Sequence, residues 1–256
     1  MDRTIISIGS INIYWYSVII LIAVLVGSYV AYRESKVINR KDYFESLIFN
    51  IIVFGIIGAR LYYVIFNFEL YKDDILSIFK IWEGGLAIYG GIIGGLVAIL
   101  FGAKKHCESV IETIDMVVPG LILAQAIGRW GNFFNSEAHG GEVTLSYLEK
   151  LHLPKFIIDG MCINGVYYHP TFLYESLWCL LGFIFIIVIR KVCKRKKGIV
   201  TYSYFIWYGI GRIFIEHLRT DSLYLGSIKV SQLVSLILLI IGIIGIIKTK
   251  MCKNSV

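Results

Sequence analysis

Five polar side chains follow one another at the end of a long apolar stretch. They are Arg129, Asn132, Asn135, Glu137 and His139, within the run GRWGNFFNSEAHG at residues 128–140. A charged side chain at the centre of a membrane-spanning helix costs about 2.5–3.5 kcal/mol on insertion scales, so such residues mark a functional site by default. Their clustering here predicts a membrane enzyme.

A second group of polar residues lies in other apolar stretches, and each falls toward the same side of the membrane. The group comprises Tyr16, Arg60, Tyr89, Arg212 and Glu216. Guanidinium groups keep their proton and bind phosphate oxygens through two parallel hydrogen bonds. We therefore expect Arg129 and Arg212 to bind the phosphate of an outer-leaflet phospholipid. Arg60, taken alone, is more typical of a snorkelling or ion-paired side chain.

The composition is that of an integral membrane protein. Hydrophobic residues make up 57% of the 256 residues, charged residues make up 17%, and the mean hydropathy is +0.73. Soluble domains carry about 25% charged residues. Because the apolar stretches run almost end to end without a linker, we expect one integral domain over residues 1–256. The five cysteines form no CxxC pair, so neither a metal site nor a disulfide framework is indicated.

Seven stretches approach the length of about 20 apolar residues that crosses a bilayer. They cover residues 14–31, 44–66, 86–103, 111–134, 171–189, 200–215 and 230–247. The sixth is the shortest. Basic residues follow the first stretch instead of preceding it, and no A-x-A cleavage site comes before Arg33, so we expect a retained helix. The predicted fold class is an all-α polytopic membrane protein with seven transmembrane helices.

The basic residues predict how these helices are oriented. More than half of the 25 Lys and Arg residues follow the first, third, fifth and seventh stretches. These segments share one side, which the positive-inside rule assigns to the cytoplasm. We expect the N-terminus outside, the C-terminus in the cytoplasm and the bacterial plasma membrane as the location. The net charge of +7 then reflects topology and contact with anionic lipid, not a nucleic-acid partner.

Residues 135–170 form a large polar insertion between the fourth and fifth stretches. The turn-prone pairs Asp159-Gly160 and Asn164-Gly165 flank short apolar runs at residues 156–158 and 166–168, a pattern typical of a β-hairpin. We expect a small extracytoplasmic head that contains some strand. Pro170 suits the first turn of the helix that follows.

Glycines crowd the start of the third stretch. They are Gly84, Gly85, Gly90, Gly91, Gly94 and Gly95. Small residues at this spacing predict close packing against another helix. Gly84 and Gly85 instead predict a backbone turn near the headgroups.

The motif around Arg129 resembles that of a known family. Gly128-Arg129-x-Gly131-Asn132-Phe133-x-Asn135-x-Glu137-x-x-Gly140 is similar to the motif of the bacterial prolipoprotein diacylglyceryl transferases. Further similarities occur in the same order along the chain: Trp15-Tyr16, Gly58-Ala59-Arg60, the glycine block, His169-Pro170 with Leu173-Tyr174-Glu175, and Tyr208-Gly209-x-x-Arg212-x-x-x-Glu216-x-x-Arg219. The resemblance covers nearly the whole chain.

The resemblance implies an enzyme without a cofactor that moves the diacylglyceryl group of phosphatidylglycerol to the lipobox cysteine thiol of a prolipoprotein. The other product would be glycerol phosphate. The catalytic residues would be Arg129, Arg212, Glu137 and Tyr89. Phosphatidylglycerol would be bound by both arginines together with Asn132, Asn135, Glu216, Tyr16, Arg60 and Gly140.

One position departs from the family pattern. Many members carry a histidine, a candidate base for the thiol, where this chain has Tyr89. A phenol with a pKa of about 10 is a poor base at neutral pH. We expect Tyr89 to donate a hydrogen bond to the phosphate or the glycerol. The thiol, with an ordinary pKa of about 8.5, would lose its proton to water, to His139 or to the leaving phosphate.

Three other protein classes are alternatives, and two of them fit the sequence less well. A transporter needs polar groups along a path through the whole membrane, whereas here they gather in one half. A receptor of the retinal type needs a lysine in the last helix, and residues 230–247 contain none. A phospholipid-using transferase that acts on a sugar or a polyol shares these features, and only the family resemblance separates it.

Overall fold

Helices dominate the protein. The computed structural model describes residues 3–8, 11–220, 224–226 and 228–251. The α-helices in these residues are α1 (Trp15–Val37), α2 (Lys41–Phe66), α3 (Ile88–Lys105), α4 (Val110–Asn135), α5 (Leu145–Lys150), α6 (Lys155–Gly160), α7 (Thr171–Val192), α8 (Ile199–Leu218) and α9 (Val230–Met251). The seven long helices coincide with the seven predicted apolar stretches.

Within the described residues, six of the long helices are long and apolar enough to cross a membrane: α1, α2, α3, α4, α7 and α9. Large apolar side chains such as Leu25, Phe49 and Leu181 point outward from them, as lipid-facing residues do. The prediction of a polytopic, mostly helical membrane protein is confirmed. A seventh crossing by α8, which carries Arg212 and Glu216, stays a prediction, because that helix is not among these six.

The chain divides into two compact units. The larger unit comprises Met1–Ala31 and Val117–Val256, and the smaller unit comprises Tyr32–Met116. Helices α1 and α4 each contribute residues to both units. Helices α2 and α3 belong to the smaller unit, and α7, α8 and α9 belong to the larger one.

In the smaller unit, α2 and α3 pack closely along the glycines that the sequence singled out. A Cβ atom on Gly90 would collide with the carbonyl group of Gly58, and one on Gly94 would collide with the carbonyl group of Phe54. Backbones approach this closely only where small residues leave room. The prediction of close helix packing is therefore confirmed.

In the larger unit, two tryptophans lock α7 against α8. The indole N–H of Trp178 donates to the carbonyl oxygen of Trp207 at 3.0 Å, and the indole N–H of Trp207 donates to the carbonyl oxygen of Trp178 at 2.9 Å. Their rings stack with centroids 4.6 Å apart. Gly211 makes room for Trp178, and Gly182 makes room for Trp207. This tryptophan clasp, Trp178 with Trp207, fixes the register of the two helices.

Short strands form three small sheets in the described residues. They are β1 (Thr4–Ile8), β2 (Ile11–Tyr14), β3 (Glu142–Val143), β4 (Cys162–Ile163), β5 (Val166–Tyr168), β6 (Tyr224–Leu225) and β7 (Ile228–Lys229). The antiparallel pairs β1–β2 and β6–β7 precede α1 and α9, while the head sheet has the order β3-β5-β4. The sequence analysis did not predict the hairpin before α1.

The predicted head insertion contains strand, but one of its two strand segments was wrong. Residues 156–158 lie in α6 because Pro154 suits the start of a helix and Ile157 is buried on the inner face of that helix. The hairpin is instead formed by β4 and β5 across Asn164-Gly165. Both turn residues have positive φ, 54° and 83°, as a two-residue hairpin loop requires.

The head packs onto the ends of α4 and α7. Its buried apolar core consists of Phe133, Leu148, Ile157, Met161 and Phe172. Phe133 comes from α4 and Phe172 from α7, and their rings stack at 4.6 Å. The predicted helix start after Pro170 is confirmed, since α7 begins at Thr171. The core therefore fixes the helix ends that carry Arg129 and the first turns of α7.

Candidate active site at the ends of α4, α7 and α8

One buried carboxylate binds three arginines. Oε2 of Glu175 lies 2.7 Å from Nη2 of Arg129, and both its oxygens accept from Nη1 of Arg212 at 2.9 and 3.0 Å. Nη1 of Arg219 lies 3.5 Å from Oε1. The Glu175 side chain is only 6% exposed. We call this group, Glu175 with Arg129, Arg212 and Arg219, the arginine cluster.

The chain direction of three helices brings the cluster together. Arg129 lies near the end of α4, Glu175 near the start of α7, and Arg212 near the end of α8. Because α7 runs opposite to α4 and α8, these three ends meet on one side of the larger unit. In the tryptophan clasp, Trp178 follows Glu175 by about one turn of α7, and Trp207 precedes Arg212 by one to two turns of α8. The clasp therefore holds Glu175 beside Arg212.

A second carboxylate holds Arg212 from the other side. Oε2 of Glu216, one helical turn after Arg212, lies 2.7 Å from Nη2 of Arg212, and the Glu216 side chain is 2% exposed. The three guanidinium groups and these two carboxylates thus form one network of largely buried charged side chains.

An amide chain links Arg129 to Glu137. Nη1 of Arg129 lies 3.5 Å from Oδ1 of Asn132, and Nδ2 of Asn132 donates to Oε1 of Glu137 at 3.1 Å. Nδ2 of Asn135 lies 3.4 Å from the same oxygen. The structure thus brings Asn132, Asn135 and Glu137 together with Arg129, whereas their contact with lipid stays a prediction.

The loop that carries Glu137 has an unusual backbone. Ser136 and Ala138 have φ values of 54° and 58°, which residues with a Cβ atom rarely adopt and which cluster at functional sites. The hydroxyl group of Thr171 donates to the carbonyl oxygen of Ala138 at 2.6 Å. This buried hydrogen bond from the start of α7 holds the strained loop in place.

Gly140 and Tyr16 occupy tightly packed positions. A Cβ atom on Gly140 would meet His169, Thr171 and the carbonyl oxygen of Leu218. The backbone N–H of Gly140 donates to the carbonyl oxygen of His169 at 3.0 Å, so this glycine joins the head to the start of α7. The ring of Tyr16 lies against Gly131. Binding of phosphatidylglycerol by either residue stays a prediction.

In the smaller unit, Arg60 is occupied by backbone carbonyl groups. Its Nε donates to Ile78 at 2.7 Å, Nη1 to Gly84 and Gly85 at 2.7 and 3.0 Å, and Nη2 to Ser77 at 2.8 Å. A longer contact of 3.5 Å reaches Lys80. These contacts account for all five N–H groups of a guanidinium. Arg60 thus stabilises the backbone of residues 77–85, and its binding of phosphatidylglycerol stays a prediction.

Tyr89 lies in the first turn of α3, in the smaller unit. Its side chain is 39% exposed, and its ring centroid lies 6.3 Å from that of Tyr62. Gly84 and Gly85, just before this helix, have φ values of 93° and 73°, so the predicted backbone turn is confirmed. The carbonyl groups of that turn face Arg60. The catalytic role of Tyr89 stays a prediction.

Comparison with known proteins identifies the family. The model of the prolipoprotein diacylglyceryl transferase family matches residues 3–248. The chain belongs to this family. The family membership that the motif around Arg129 indicated is therefore confirmed.

Relatives with the name phosphatidylglycerol–prolipoprotein diacylglyceryl transferase occur in several bacteria. The protein of Staphylococcus haemolyticus (strain JCSC1435) is 49% identical over 249 residues, which cover 96% of this chain and 88% of the relative. The protein of Listeria monocytogenes serotype 4b (strain CLIP80459) is 49% identical over 259 residues, covering 99% and 92%. The protein of Bacillus anthracis (strain CDC 684 / NRRL 3495) is 48% identical over 248 residues, covering 96% and 92%.

Two histidines, His139 and His169, lie in the head insertion. The pKa of His169 is lowered from its ordinary value of 6.5 by burial, so its ring is neutral at neutral pH. His169 packs against the ring of Tyr147 with centroids 4.9 Å apart. Nδ1 of His139 lies 3.1 Å from the carbonyl oxygen of Gly140, and its ring contacts Tyr168.

The sequence analysis named neither Glu175 nor Arg219 as a site residue, although both lie in the motifs that resemble the family. One signal could have identified Glu175. It is the only Asp, Glu, Lys, Arg or His in the apolar stretch 171–189, and a lone carboxylate at membrane depth indicates a functional partner. Arg219 gave a weaker signal because it follows the end of α8.

Proposed function

We propose that this protein transfers the diacylglyceryl group of phosphatidylglycerol to the cysteine thiol of prolipoproteins, the first step of bacterial lipoprotein maturation. The observation that carries the proposal is the meeting of Arg129 and Arg212 on one buried carboxylate, Glu175. The relatives are named for this activity. In this chain the two guanidinium groups are already held in place, and such a pair suits a phosphate.

The reaction forms one bond and breaks one. The thiolate sulfur attacks the glyceryl carbon that carries the phosphate, a carbon–sulfur bond forms, and the carbon–oxygen bond to the phosphate breaks. The phosphodiester with one negative charge becomes a phosphate monoester with two. Positive groups that are already in place stabilise this growing charge without reorganisation, which is the main way in which enzymes lower such barriers.

Arg129 and Arg212 supply the positive charge, and neighbouring side chains position these two arginines. Each guanidinium offers five N–H groups, so it can hold a carboxylate and a phosphate together. Glu175 and Glu216 fix Arg212, while Glu175 and Asn132 fix Arg129. Glu137 and Asn135 extend this support and offer polar groups to the glycerol hydroxyls of the lipid.

The thiol proton needs an acceptor other than Glu175. Both carboxylate oxygens of Glu175 are already engaged by guanidinium groups. We expect water, His139 or the leaving phosphate to take the proton. Tyr89 then serves as a hydrogen-bond donor.

The acceptor substrate is a thiol, not a sugar or a polyol. The relatives' names specify prolipoproteins, and the chain aligns with them over nearly its full length. For this chain we infer the lipobox cysteine of a prolipoprotein signal peptide as acceptor. The partners are therefore this peptide, phosphatidylglycerol and the surrounding membrane, without nucleic acid.

The enzyme acts at the outer face of the bacterial plasma membrane. The basic residues predict an external N-terminus, a cytoplasmic C-terminus and seven crossings. Both compact units would then form one integral domain, with residues 135–170 as its external head. The arginine cluster lies at the helix ends that carry this head, where an exported prolipoprotein arrives.

The direct test uses the purified chain, phosphatidylglycerol and a lipobox peptide. We expect the peptide to gain the mass of one diacylglyceryl group, with release of one glycerol phosphate. A peptide with Cys→Ser should gain nothing. Modification of the serine peptide, or the same yield with phosphatidylcholine vesicles, would contradict the proposal.

The roles of the two arginines can be tested by substitutions that keep the positive charge but remove the planar guanidinium group. We expect Arg129→Lys and Arg212→Lys each to lower kcat by about 100- to 1,000-fold, the range found when a positioned donor to a developing oxyanion is lost. Lys155→Ala, which removes an exposed cation of the head, is the control and should keep full activity. Wild-type rates in both lysine variants would exclude the assigned roles.

A further inference from the structure

The segment that connects α2 to α3 has a large exposed apolar surface. This connecting segment, residues 67–87, contains short 3-10 turns at Ile75–Phe79 and Ile81–Glu83. Leu76 and Phe79 are each 73% exposed and Trp82 is 75% exposed. Further exposed apolar side chains in the same segment are Phe68, Leu70, Ile75, Ile81 and Leu86. So much exposed apolar surface in one segment indicates a binding surface.

Arg60 satisfies the backbone of this segment from within. Its five N–H groups contact the carbonyl oxygens of Ser77, Ile78, Lys80, Gly84 and Gly85. Its guanidinium also lies 5.1 Å from the ring centre of Tyr71. In water, carbonyl groups of a loop need no such partner. In a lipid environment they do, because an unsatisfied carbonyl group there costs several kcal/mol.

Both lysines of the segment are paired with acidic residues of the same segment. Nζ of Lys72 lies 2.5 Å from a carboxylate oxygen of Glu69, and Nζ of Lys80 lies 3.3 Å from one of Asp74. Paired charges at the edge of an apolar face are typical of segments at a membrane surface, where both polar and apolar groups find suitable surroundings.

The ends of the segment are continuous with a lipid-facing surface. α2 ends with Ile65 and Phe66, each 69% exposed, and α3 begins with Ile88, 74% exposed. Both helices are long and apolar enough to cross a membrane, so the segment starts and finishes at the membrane surface. Tryptophan is enriched at that depth because its ring is apolar and its N–H is polar.

We propose that residues 67–87 lie in the boundary between lipid headgroups and acyl chains, with Leu76, Phe79 and Trp82 inserted among the chains, and that Arg60 holds the segment in this inserted shape. The partner is the lipid surface. A docked peptide strand fits less well, because Arg60 already occupies carbonyl groups with which such a strand would have to pair. The proposal requires no turnover and is independent of the transferase reaction.

Fluorescence of Trp82 tests the insertion. The full chain and its Trp82→Phe variant are placed in vesicles of phosphatidylcholine and phosphatidylglycerol, and the difference between the two spectra reports Trp82. We expect lipids brominated near the headgroup to quench this difference at least twofold more than lipids brominated near the chain end. Dissolved iodide should quench it weakly. Strong quenching by iodide with none by brominated lipid would overturn the proposal.

Three variants distinguish an inserted segment from an apolar loop that stays outside the lipid. The double change Leu76→Asp with Phe79→Asp should withdraw the segment and raise iodide quenching of Trp82 severalfold. Asp73→Ser, a polar change in the same segment, should leave the quenching unchanged. Arg60→Lys should act like the double change, because one ammonium group cannot contact five carbonyl groups. If a lipobox peptide, and not lipid, shielded Trp82, the segment would be a peptide site and the proposal would be wrong.

Discussion

At the scale of single residues, Glu175 has the largest influence on the site. It contacts Arg129, Arg212 and Arg219 and is almost fully buried. Removal of one partner from a buried ion pair destabilises a protein by about 3–5 kcal/mol, because the other charge stays buried and uncompensated. Glu175 therefore affects both the stability of the protein and the orientation of the two arginines that we assign to the phosphate.

We expect Glu175→Gln to lower the thermal stability and to reduce the transfer rate by at least 100-fold. An added anion should partly replace the lost carboxylate, so phosphatidylglycerol should raise the melting temperature of Glu175→Gln more than that of the wild type. The measurement is thermal unfolding in detergent, with and without phosphatidylglycerol. Glu149→Gln, at an exposed position in α5, is the control and should behave as wild type.

Tyr89 offers a second prediction at this scale. If it donates a hydrogen bond to a charged group, Tyr89→Phe should cost about 1.5–3 kcal/mol, or roughly 10- to 100-fold in kcat/KM. The pH profile should keep its shape, and Tyr89→His should restore little. Tyr62→Phe, at the neighbouring ring in α2, is the matched control. Full rescue by histidine with a new dependence on pH would instead assign the position as the base.

At the scale of elements, the sequence predicted the long helices well. Their apolar stretches are long enough to identify. Pro170 indicated the start of the helix at Thr171, and the glycines of the third stretch indicated close packing against another helix. The short elements were harder to predict. Residues 156–158 form a short apolar run that suits a strand, yet burial of Ile157 against Leu148 and Phe133 decides for a helix. Only the folded head supplies that contact.

The tryptophan clasp gives a prediction about how elements position the site. Gly211→Val should push Trp178 away, break the two reciprocal hydrogen bonds and move Arg212 relative to Glu175. Overpacking of this kind costs about 1–3 kcal/mol. We expect a lower melting temperature in detergent and reduced transfer.

Gly141→Ala provides the matched control for the clasp, because a Cβ atom there meets nothing within 4 Å. Its stability and activity should equal those of the wild type. If Gly211→Val were equally neutral, the clasp would have no part in setting the register of α7 and α8.

At the scale of the whole molecule, charge and hydropathy predicted a membrane protein with seven crossings, and the seventh stays a prediction. Among the described residues, six helices meet the composition of a span, and α8, which carries Arg212 and Glu216 of the site, does not. The cluster itself could be predicted only in part. Arg129 and Arg212 were identified by depth, whereas their shared contact with Glu175 depends on how three distant segments pack.

The side of the membrane reached by each terminus decides between six and seven crossings. An odd number places the termini on opposite sides. In a background without the five native cysteines, Thr4→Cys should react on intact cells with a maleimide that does not cross membranes. Lys248→Cys should react only after the cells are opened. Reaction of both in intact cells would contradict seven crossings.

The buried carboxylate among the arginines also bears on how the enzyme begins a new cycle. A doubly charged product held by bare guanidinium groups in a dry site would dissociate slowly, because its departure would leave those cations without a counter-ion. Glu175 is already a counter-ion of both arginines when no phosphate is bound. The protein thus carries its own anion, and the cations of the empty site stay paired between substrates.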